Sequence, residues 1–453
     1  MDIIFRPHNA HLEEPNQFAE NDPHLKRLRK QKYIYHSDLI QKLPMHQAGI
    51  YTVGGGRQVG KTTLLKQWML HLLQSGVSPL AICFYSGELI NDHHSLLMIM
   101  QNQLAQMPTT GLKYFILDEV TDILHWDKAI KFLADLGALE NTVLILSGSD
   151  LILIQEARRR LPGRRGRADK VDFHYYPLSF AEFLQLKGIE IRALDSTLTN
   201  PNHDYLTCLY REFDNYLIHG GFLLAINEFY QDNFISLSTL ATYSDWIRGD
   251  ILKNKKNELF LKEIIGAILK HYTKQISWVN LVKELSIDHT QTVADYIGLL
   301  SSMDAVFVQS ALIEDKLQAA PKKQKKLMFC DPFIFHAMRA WIKPVKEVYK
   351  QQIEPLFTDP VLYSELVEAC VTTHFRRYYS TYYIKSDGEV DIAYVKNNRF
   401  YPIEVKWVNQ MRVKDLKQIN KYDNGIIYAK IKQFSTLNTT PLVPLPWALA
   451  NIL

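Results

Sequence analysis

The sequence has few cysteines, no long apolar run and little net charge. Its 453 residues include four cysteines, Cys83, Cys208, Cys330 and Cys370, which stand singly without Cys-x-x-Cys spacing. Isolated cysteines in mainly apolar surroundings exclude a disulfide scaffold and predict buried thiols in a reducing compartment.

The apolar runs are too short to cross a bilayer. The longest, Val143–Ile154, is interrupted by the polar residues of Ser147–Asp150, whereas a spanning helix needs about 18 uninterrupted apolar residues. The start of the chain, Met1–Glu13, alternates polar and apolar residues and lacks the apolar core of a signal peptide. We therefore expect a cytoplasmic protein with no membrane partner.

The charge is small in total but unevenly distributed. There are 52 basic and 48 acidic residues, for a net charge of +4. Basic residues concentrate in Lys26–Lys32, Glu156–Lys170 and Lys322–Lys326, which carry +5, +5 and +4. With 47% apolar and 22% charged residues, the composition is that of a globular protein with local basic patches.

Short apolar runs alternate with helical patterns between Gly49 and Phe183. The runs predicted to be strands are Gly49–Val53, Leu80–Tyr85, Tyr114–Leu117 and Val143–Leu146. This alternation is typical of a parallel sheet covered by helices on both faces. The polar stretch Asp195–Asp204 contains Asn200-Pro201-Asn202 and predicts a loop or boundary.

A phosphate-binding loop follows the first of these strands. A stretch between a β-rich run and a helical run satisfies the pattern G-x-x-x-x-G-K-[ST]. Its residues are Gly55, Gly56, Arg57, Gln58, Val59, Gly60, Lys61 and Thr62, followed by Thr63. Backbone N–H groups and the helix N-terminus would hold the phosphates of ATP. Lys61 would reach the β- and γ-phosphates, and the Thr62 hydroxyl would ligate Mg²⁺.

An acidic pair completes the predicted nucleotide site. The apolar run Tyr114–Leu117 ends in Asp118 and Glu119, so Asp118 would hold the Mg²⁺ shell and Glu119 would act as general base on water. The next strand ends at Ser147-Gly148-Ser149, where Ser149 either senses the γ-phosphate or belongs to an ordinary turn.

The basic stretch Glu156–Lys170 supplies candidate arginine fingers. Arg164 is the first choice and Arg167 the second, because an arginine given to a neighbouring subunit would stabilise charge on the transferring phosphoryl group. The alternative is a solvated or DNA-facing basic loop.

These motifs together resemble a family of predicted bacterial and archaeal ATPases of the AAA+ superfamily. The resemblance rests on the phosphate loop, Asp118-Glu119, Ser147-Gly148-Ser149, Gly163-Arg164, Tyr176–Phe183 and His219–Phe222. The proline usual after the first loop glycine is Gly56 here. The resemblance implies ATP and Mg²⁺ as cofactors and a homo-oligomer in which ATP binds between subunits.

The middle of the chain has a helix-turn-helix pattern. Two helical runs, Trp278–Leu285 and Thr290–Leu300, flank a short turn, and the strands Val306–Val308 and Leu327–Phe329 could form a wing. A winged helix would place Thr290 and Gln291 in a DNA groove and the lysines of Lys322–Lys326 near phosphates. The alternative is a winged helix used only for packing or subunit contact.

The C-terminal part carries a carboxylate set that resembles a PD-(D/E)XK nuclease. Asp391 begins one strand of a predicted hairpin, and Glu404 and Lys406 project from one face of the next strand. The resemblance implies a further acid on the preceding helix, Glu368, with Glu365 as fallback. Two carboxylates and a lysine can bind a divalent metal and activate water. A retained fold without cleavage, and a hairpin with no metal, are the alternatives.

The sequence thus predicts an α/β fold with a P-loop NTPase sheet of the AAA type and three further parts. The boundaries are 1–190 for the ATPase domain, 191–262 for a helical extension, 263–345 for the winged helix and 346–453 for the nuclease-like domain. We expect an Mg²⁺-dependent ATPase that binds and remodels nucleic acid, most simply DNA. The alternatives are a regulatory ATP switch and an ATP-gated endonuclease.

Beyond the predicted C-terminal hairpin, the basic residues Arg412, Lys414, Lys417 and Lys421 are expected to follow a phosphate backbone.

Overall fold

The computed structural model describes residues 3–149, 157, 159–192, 202–386, 388–408 and 416–452. The chain divides into two compact units, Met1–Tyr176 and Pro177–Leu453. Most of the predicted loop Asp195–Asp204 lies outside the described residues, as do Arg412, Lys414 and Glu156. The predicted four-part division of the chain stays a prediction.

A five-stranded sheet forms the centre of the first unit. Its strand order is β2-β3-β4-β1-β5, and all four neighbouring pairs are parallel. The strands are β1 (Gly49–Gly54), β2 (Ile82–Ser86), β3 (Lys113–Asp118), β4 (Thr142–Gly148) and β5 (Asp172–His174). All seven residues of β4 are buried, because its apolar side chains are covered on both faces. The prediction of a parallel P-loop sheet is confirmed.

Helices cover this sheet, and one of them follows the phosphate loop directly. The helices of the first unit include α1 (Phe18–Asn21), α2 (Pro23–Leu28), α3 (Leu39–Lys42), α4 (Lys61–Gln74), α5 (His93–Gln106) and α6 (Trp126–Asp135). Helices α5 and α6 bury Leu96, Met100 and Ile130 in one apolar cluster with side chains of the sheet. Helix α4 buries Leu64, Leu65 and Trp68 completely. Burial of these apolar faces is what holds the phosphate loop in place.

An arm of residues 3–32 precedes the sheet. It contains 3-10 helix at Ile3–Leu12 and Pro15–Gln17, followed by α1 and α2. Phe5 and Phe18 are buried, so the arm belongs to the folded unit. The sequence suggested no more for this segment than a basic patch at Lys26–Lys32.

The second unit begins with helices. They are α7 (Phe180–Leu186), α8 (His203–His219), α9 (Leu223–Asp232), α10 (Leu237–Lys253) and α11 (Glu258–Lys270). Between α8 and α9 the backbone N–H of Gly221 donates to Asp331 Oδ2 at 2.9 Å. A β-carbon on Gly220 would lie 1.7 Å from Asp331 Oδ1, so only glycine admits the carboxylate here. Burial raises the pKa of Asp331 to about 6.

The middle of the second unit has the predicted order of elements. Helices α12 (Trp278–Val282) and α13 (Thr290–Ser302) are followed by β7 (Val306–Ser310), β8 (Leu312–Ile313), β9 (Gln318–Ala319) and β10 (Lys325–Phe329). Strand β10 pairs antiparallel with β7 and with β6 (Gln275–Ile276). Helix α14 (Pro332–Ile342) then closes the region. The assignment of these elements as a winged helix stays a prediction.

A six-stranded mixed sheet forms the C-terminal part of the second unit. Helices α15 (Glu354–Leu356) and α16 (Pro360–Arg376) precede it, and α17 (Leu445–Ala450) follows it. The strand order is β11-β12-β13-β14-β16-β15, with β11 (Ser380–Lys385), β12 (Glu389–Lys396), β13 (Arg399–Lys406), β14 (Ile426–Ala429), β15 (Ser435–Leu437) and β16 (Thr440–Pro444). The predicted hairpin is β12 and β13, which pair antiparallel.

Among the described residues, no helix combines the length and apolar character required to span a membrane.

Candidate functional site: a nucleotide cavity and a carboxylate cluster

The loop between β1 and α4 depends on two of its glycines. Gly60 has φ of 97° at the N-cap of α4, in the left-handed region that favours glycine. A β-carbon on Gly55 would lie 2.2 Å from the carbonyl oxygen of Tyr175, so the loop can pass β5 only with glycine there. These two positions fix the path of the backbone into the N-terminus of α4.

Lys61 lies inside this loop. Its side chain is 4% exposed, and Nζ donates to the carbonyl oxygens of Gly55 at 3.0 Å and Gly56 at 2.9 Å. Nζ also lies 3.8 Å from Glu119 Oε1. The ammonium group is thus held between the loop and the acidic end of β3, where the sequence predicts the phosphates of ATP.

Thr62 and Asp118 are in direct contact. Thr62 Oγ1 donates to Asp118 Oδ2 at 2.6 Å, and the Ser147 hydroxyl donates to Asp118 Oδ1. Strand β4 lies between β1 and β3, so its carboxyl end delivers Ser147 to this point. Hydroxyl and carboxylate oxygens are the ligands that Mg²⁺ prefers, and this donor set therefore fits a magnesium ion.

Glu119 follows Asp118 with its backbone in the left-handed region, at φ of 49°. The Ser149 hydroxyl donates to its carboxylate, at 2.7 Å from Oε1 and 2.6 Å from Oε2. Burial raises the pKa of Glu119, and the charge of Lys61 opposes that rise. A buried carboxylate with a raised pKa is suited to accept a proton.

A cavity of about 470 Å³ opens over these residues. Its walls include Lys61, Thr62, Asp118 and Glu119, together with Arg57, Gln58, Gly60 and Thr63 of the loop region. The arm contributes His8, His24, Arg27, Leu28 and Gln31 to the same walls. Sequence reasoning missed these arm residues, and the only signal was the run of basic residues at Lys26–Lys32. Ser147 was recognised with Ser149 at the end of its strand, but its bond to Asp118 was not predicted.

The predicted arginine fingers lie elsewhere on the first unit. Arg164 forms a two-point ion pair with Asp135, at 2.5 Å from Nε to Oδ1 and 3.2 Å from Nη2 to Oδ2, and does not line the cavity. Arg167 is exposed. Arg165 instead is buried and lies 2.6 Å from Asp172. Arg164 and Arg167 stay predictions that require a neighbouring subunit.

The predicted nuclease-like residues converge in the second unit. Lys406 Nζ donates to Glu404 Oε1 at 2.5 Å, and the backbone N–H of Val405 donates to Asp391 Oδ2 at 2.9 Å. Glu368 on α16 lies close to the same strands, since the Nζ atom of Lys326 contacts both Glu368 and Asp391. We call Glu368, Glu389, Asp391 and Glu404 the carboxylate cluster. The fallback Glu365 instead lies 2.9 Å from Lys274.

Lys326 of β10 enters this cluster. Its Nζ lies 2.8 Å from Glu368 Oε1 and 3.8 Å from Asp391 Oδ1, and it forms an ion pair with Glu389. The side chain is 1% exposed, so the prediction that Lys326 contacts nucleic-acid phosphates is wrong. Strand alternation turns Lys326 inward, whereas Lys322 and Lys323 in the preceding turn are exposed.

The charges in the cluster perturb one another. Burial raises the pKa of Glu368 and of Glu404 above the usual range of a carboxyl group. Burial alone would lower the pKa of Lys326, but the charges of Glu368, Asp391 and Glu389 outweigh burial and raise it. In the part of the chain that the structure describes, no group of three or more His, Cys, Asp or Glu side chains is arranged to hold a metal ion.

One family-model match covers the region of the nucleotide cavity. Residues 47–184 match the family described as an AAA domain, and this region holds every residue predicted for ATP and Mg²⁺. Residues 210–344 match a domain of unknown function, DUF8612. The range matched by the AAA domain contains all five strands of the first unit's sheet.

A curated relative is an uncharacterized protein of Haemophilus influenzae, 29% identical over 180 residues. The match covers 38% of this chain and 39% of the relative, so the chain spans well under half of that protein's length.

Some solved structures are also similar to this chain, at low sequence identity. A Walker-type ATPase of Pyrococcus abyssi is 14% identical, with a TM-score of 0.40 over 64% of this chain and 91% of that chain. The ORC1 protein of Aeropyrum pernix, solved in complex with DNA, is 11% identical, with a TM-score of 0.32 over 73% of this chain and 91% of that chain.

Proposed function

We propose that the chain is an Mg²⁺-dependent ATPase that acts on nucleic acid, most simply DNA. The observation that carries the proposal is the contact between Thr62 and Asp118 beside Lys61 and Glu119. Residues from the phosphate loop and from the end of a second strand meet here, as ATP hydrolysis requires. The AAA domain match covers all four residues.

Each residue has a stated task in this proposal. Lys61 binds the β- and γ-phosphates, and Thr62 and Asp118 hold the Mg²⁺ ion, which supplies charge neutralisation for those phosphates. Glu119 takes a proton from the attacking water. Ser149 orients the Glu119 carboxylate through the hydrogen bond described above. Arg164 would act on the nucleotide of a neighbouring subunit in a homo-oligomer.

The nucleic-acid part of the proposal rests on exposed polar residues of the second unit. Thr290 and Gln291 are exposed at the start of α13, and Lys322 and Lys323 are exposed before β10. This arrangement supports a winged helix with α13 as the helix that enters a groove and the lysines near phosphates. The domain boundaries 1–190, 191–262, 263–345 and 346–453 belong to the same proposal.

The test is the ATPase rate across single-stranded, duplex and branched DNA, with Lys61→Ala as the blank. We expect stimulation by at least one DNA and binding that weakens with salt, because phosphate contacts release counterions. A rate unchanged by all of them, without salt-sensitive binding, contradicts the nucleic-acid part and leaves the regulatory ATP switch.

A second candidate is an ATP-gated, metal-dependent endonuclease. The convergence of Glu368, Asp391, Glu404 and Lys406 favours it. Incubating supercoiled and branched DNA with Mg²⁺ or Mn²⁺ tests for cleavage. Cleavage that survives Glu404→Ala or Lys406→Ala excludes this cluster as its source.

A further inference from the structure

The arm is fixed to the open edge of the sheet in the first unit. Strand β2 is the edge strand, and the Asn9 side chain bonds both backbone groups of Phe84, each at 2.8 Å. His11 Nε2 lies 3.0 Å from the carbonyl oxygen of Ile82. These side chains satisfy backbone groups that an added strand would otherwise pair. The arm therefore has a defined position beside the nucleotide cavity.

A buried ion pair connects the arm to the helix of the phosphate loop. Lys66 of α4 lies 3.2 Å from Asp22, and both side chains are completely buried. Lys66 Nζ also donates to the carbonyl oxygen of His8 and lies 3.7 Å from the centre of the Phe84 ring. Asp22 caps α2, because its Oδ1 accepts from the backbone N–H groups of His24 and Leu25. One carboxylate thus sets the position of α2 relative to α4.

With the arm anchored in this way, Arg27 forms part of the wall of the cavity that Lys61, Thr62, Asp118 and Glu119 also line. The Arg27 guanidinium bonds within α2, to the carbonyl oxygen of Pro23 at 3.2 Å and to His24 Nδ1 at 3.5 Å. Arg164, in contrast, does not line this cavity and pairs with Asp135. Arg29, two residues further on, lies away from these walls and pairs with Glu20 at 3.3 Å.

We propose that Arg27 contacts the phosphates of ATP bound in the same subunit and acts as a catalytic arginine in cis. The inference rests on the proposed ATPase function. A guanidinium group stabilises charge that spreads over the transferring phosphoryl group. The arm is then a working part of the nucleotide site, and its docking through Asp22 and Lys66 is a condition for turnover.

The test compares Arg27→Ala with Arg29→Ala as the matched control. We expect the turnover number of Arg27→Ala to fall about 10³-fold, with weaker binding of a fluorescent ATP analogue, while Arg29→Ala matches the wild type. Wild-type turnover and binding in Arg27→Ala overturn the proposal. A wild-type protein without ATPase activity contradicts the proposed function instead, and the binding assay still decides whether Arg27 touches the nucleotide.

Mixed subunits separate action in cis from action in trans. Subunits with Arg27→Ala are combined with subunits that carry Glu119→Gln. If Arg27 acts in cis, no site is complete and the mixture stays inactive. Recovery of activity means that the arginine serves a neighbouring subunit, which overturns the assignment. The same mixture made with Arg164→Ala is the comparison, where recovery is expected for a finger in trans.

A second inference comes independently from Lys326. The carboxylate cluster would be costly to bury without a countercharge, and the Lys326 ammonium provides one through its ion pairs with Glu368, Glu389 and Asp391. Glu404 Oε2 is buried and has no hydrogen-bond partner within the described residues. The Lys326 ammonium therefore lies within ion-pair distance of Glu368 and Asp391, two of the residues proposed to hold a divalent metal.

We infer that Lys326 and a divalent cation exclude each other from the carboxylate cluster. The nuclease-like site is then closed in this conformation, and opening it requires β10 to withdraw Lys326. This inference concerns regulation of the endonuclease candidate and rests on that candidate's metal site. Withdrawal would leave Glu368, Asp391 and Glu404 free to bind a cation, with Lys406 beside them.

The probe is Mn²⁺, titrated calorimetrically into the full chain without nucleotide. We expect no binding at the cluster in the wild type, one site in Lys326→Met, and loss of that site when Glu404→Ala is added. Lys325→Met is the matched control, because Lys325 instead bonds the carbonyl oxygen of Ala320 at 2.9 Å. Mn²⁺ should also raise the melting temperature of Lys326→Met alone, since a ligand stabilises the state that binds it.

Wild-type protein that binds Mn²⁺ and loses it on Glu404→Ala overturns the inference, whether or not Lys326→Met folds. Folded Lys326→Met that gains no site overturns it as well. The Mn²⁺ titration tests this inference without a cleavage assay. A failure of the endonuclease candidate would appear only in the cleavage assay and is therefore distinguishable.

Discussion

Thr62, the last residue of the phosphate-loop motif, donates a hydrogen bond of 2.6 Å from Oγ1 to Oδ2 of Asp118, the last residue of β3. The bond joins the start of α4 to the end of β3, and Ser147 holds the other oxygen of Asp118. Two groups proposed to bind the same magnesium ion are therefore already together.

Replacing Thr62 by valine removes the hydroxyl and keeps the shape of the side chain. We expect ATP turnover to fall and the Mg²⁺ concentration for half-maximal rate to rise about tenfold, the equivalent of about 1.4 kcal/mol. A magnesium titration of the ATPase rate measures both effects. Exposed Thr110 supplies the control Thr110→Val, and an unchanged magnesium dependence in Thr62→Val would exclude the hydroxyl as a ligand.

Ser149→Ala should change the pH dependence of the ATPase. The Ser149 hydroxyl donates to the Glu119 carboxylate and so favours its charged form, which lowers the pKa of Glu119 against the effect of burial. Without Ser149 that pKa rises further, and Glu119 is deprotonated only at higher pH. The acidic limb of kcat/KM should therefore move to higher pH. Ser75→Ala, at the far end of α4, is the control. If the acidic limb of kcat/KM does not move in Ser149→Ala, the proposed role of Ser149 is wrong.

Asp22→Asn should destabilise the first unit through Lys66. The ammonium group of Lys66 would remain buried without its carboxylate, a loss that costs about 3–5 kcal/mol for a buried pair. Chemical denaturation measures the free energy of unfolding. Exposed Asp38 supplies the control Asp38→Asn, which we expect to match the wild type. Equal stabilities for both variants would mean that the pair does not anchor the arm.

The stability of the second unit should fall in acid because of His374. Its Nε2 accepts from the backbone N–H of Phe180 at 3.0 Å and its Nδ1 donates to the carbonyl oxygen of Cys370 at 2.7 Å, so the ring is neutral. Burial lowers the pKa of His374 to about 3. The unfolded chain, with a pKa near 6.5, binds a proton that the folded chain rejects.

The stabilising contribution of neutral His374 is therefore complete above pH 6.5 and is lost as the pH falls toward 3. In His374→Gln the free energy of unfolding should depend less on pH, with a slope smaller by up to about 1.4 kcal/mol per pH unit. Denaturant unfolding between pH 7 and pH 4 measures this slope. His203→Gln changes an exposed histidine and is the control. Identical slopes for the wild type and His374→Gln would contradict the prediction.

The nucleotide site was largely predictable because its chemistry is local. Gly60, Lys61 and Thr62 are contiguous in sequence, and Asp118-Glu119 ends an apolar run whose burial is evident from composition. The strands of the parallel sheet were predicted on the same grounds. Ser149 was recognised as a candidate by its position at a strand end, although its bond to Glu119 required the structure.

The contributions of the arm and of Lys326 were not predictable, since both depend on contacts between distant segments. Arg27 reaches the cavity only because Asp22 and Asn9 dock on α4 and β2. Lys326 stands in a run of lysines that reads as a solvated patch, and only the register of β10 turns this one side chain into the cluster. No local pattern encodes either contact.

The most direct test of the account is Glu119→Gln, assayed for ATP binding and for turnover in the same preparation. The amide cannot take a proton, so we predict wild-type affinity for ATP and a turnover number reduced by about 10²–10⁴-fold. Normal turnover in Glu119→Gln would contradict the proposal that this site hydrolyses ATP with Glu119 as its base.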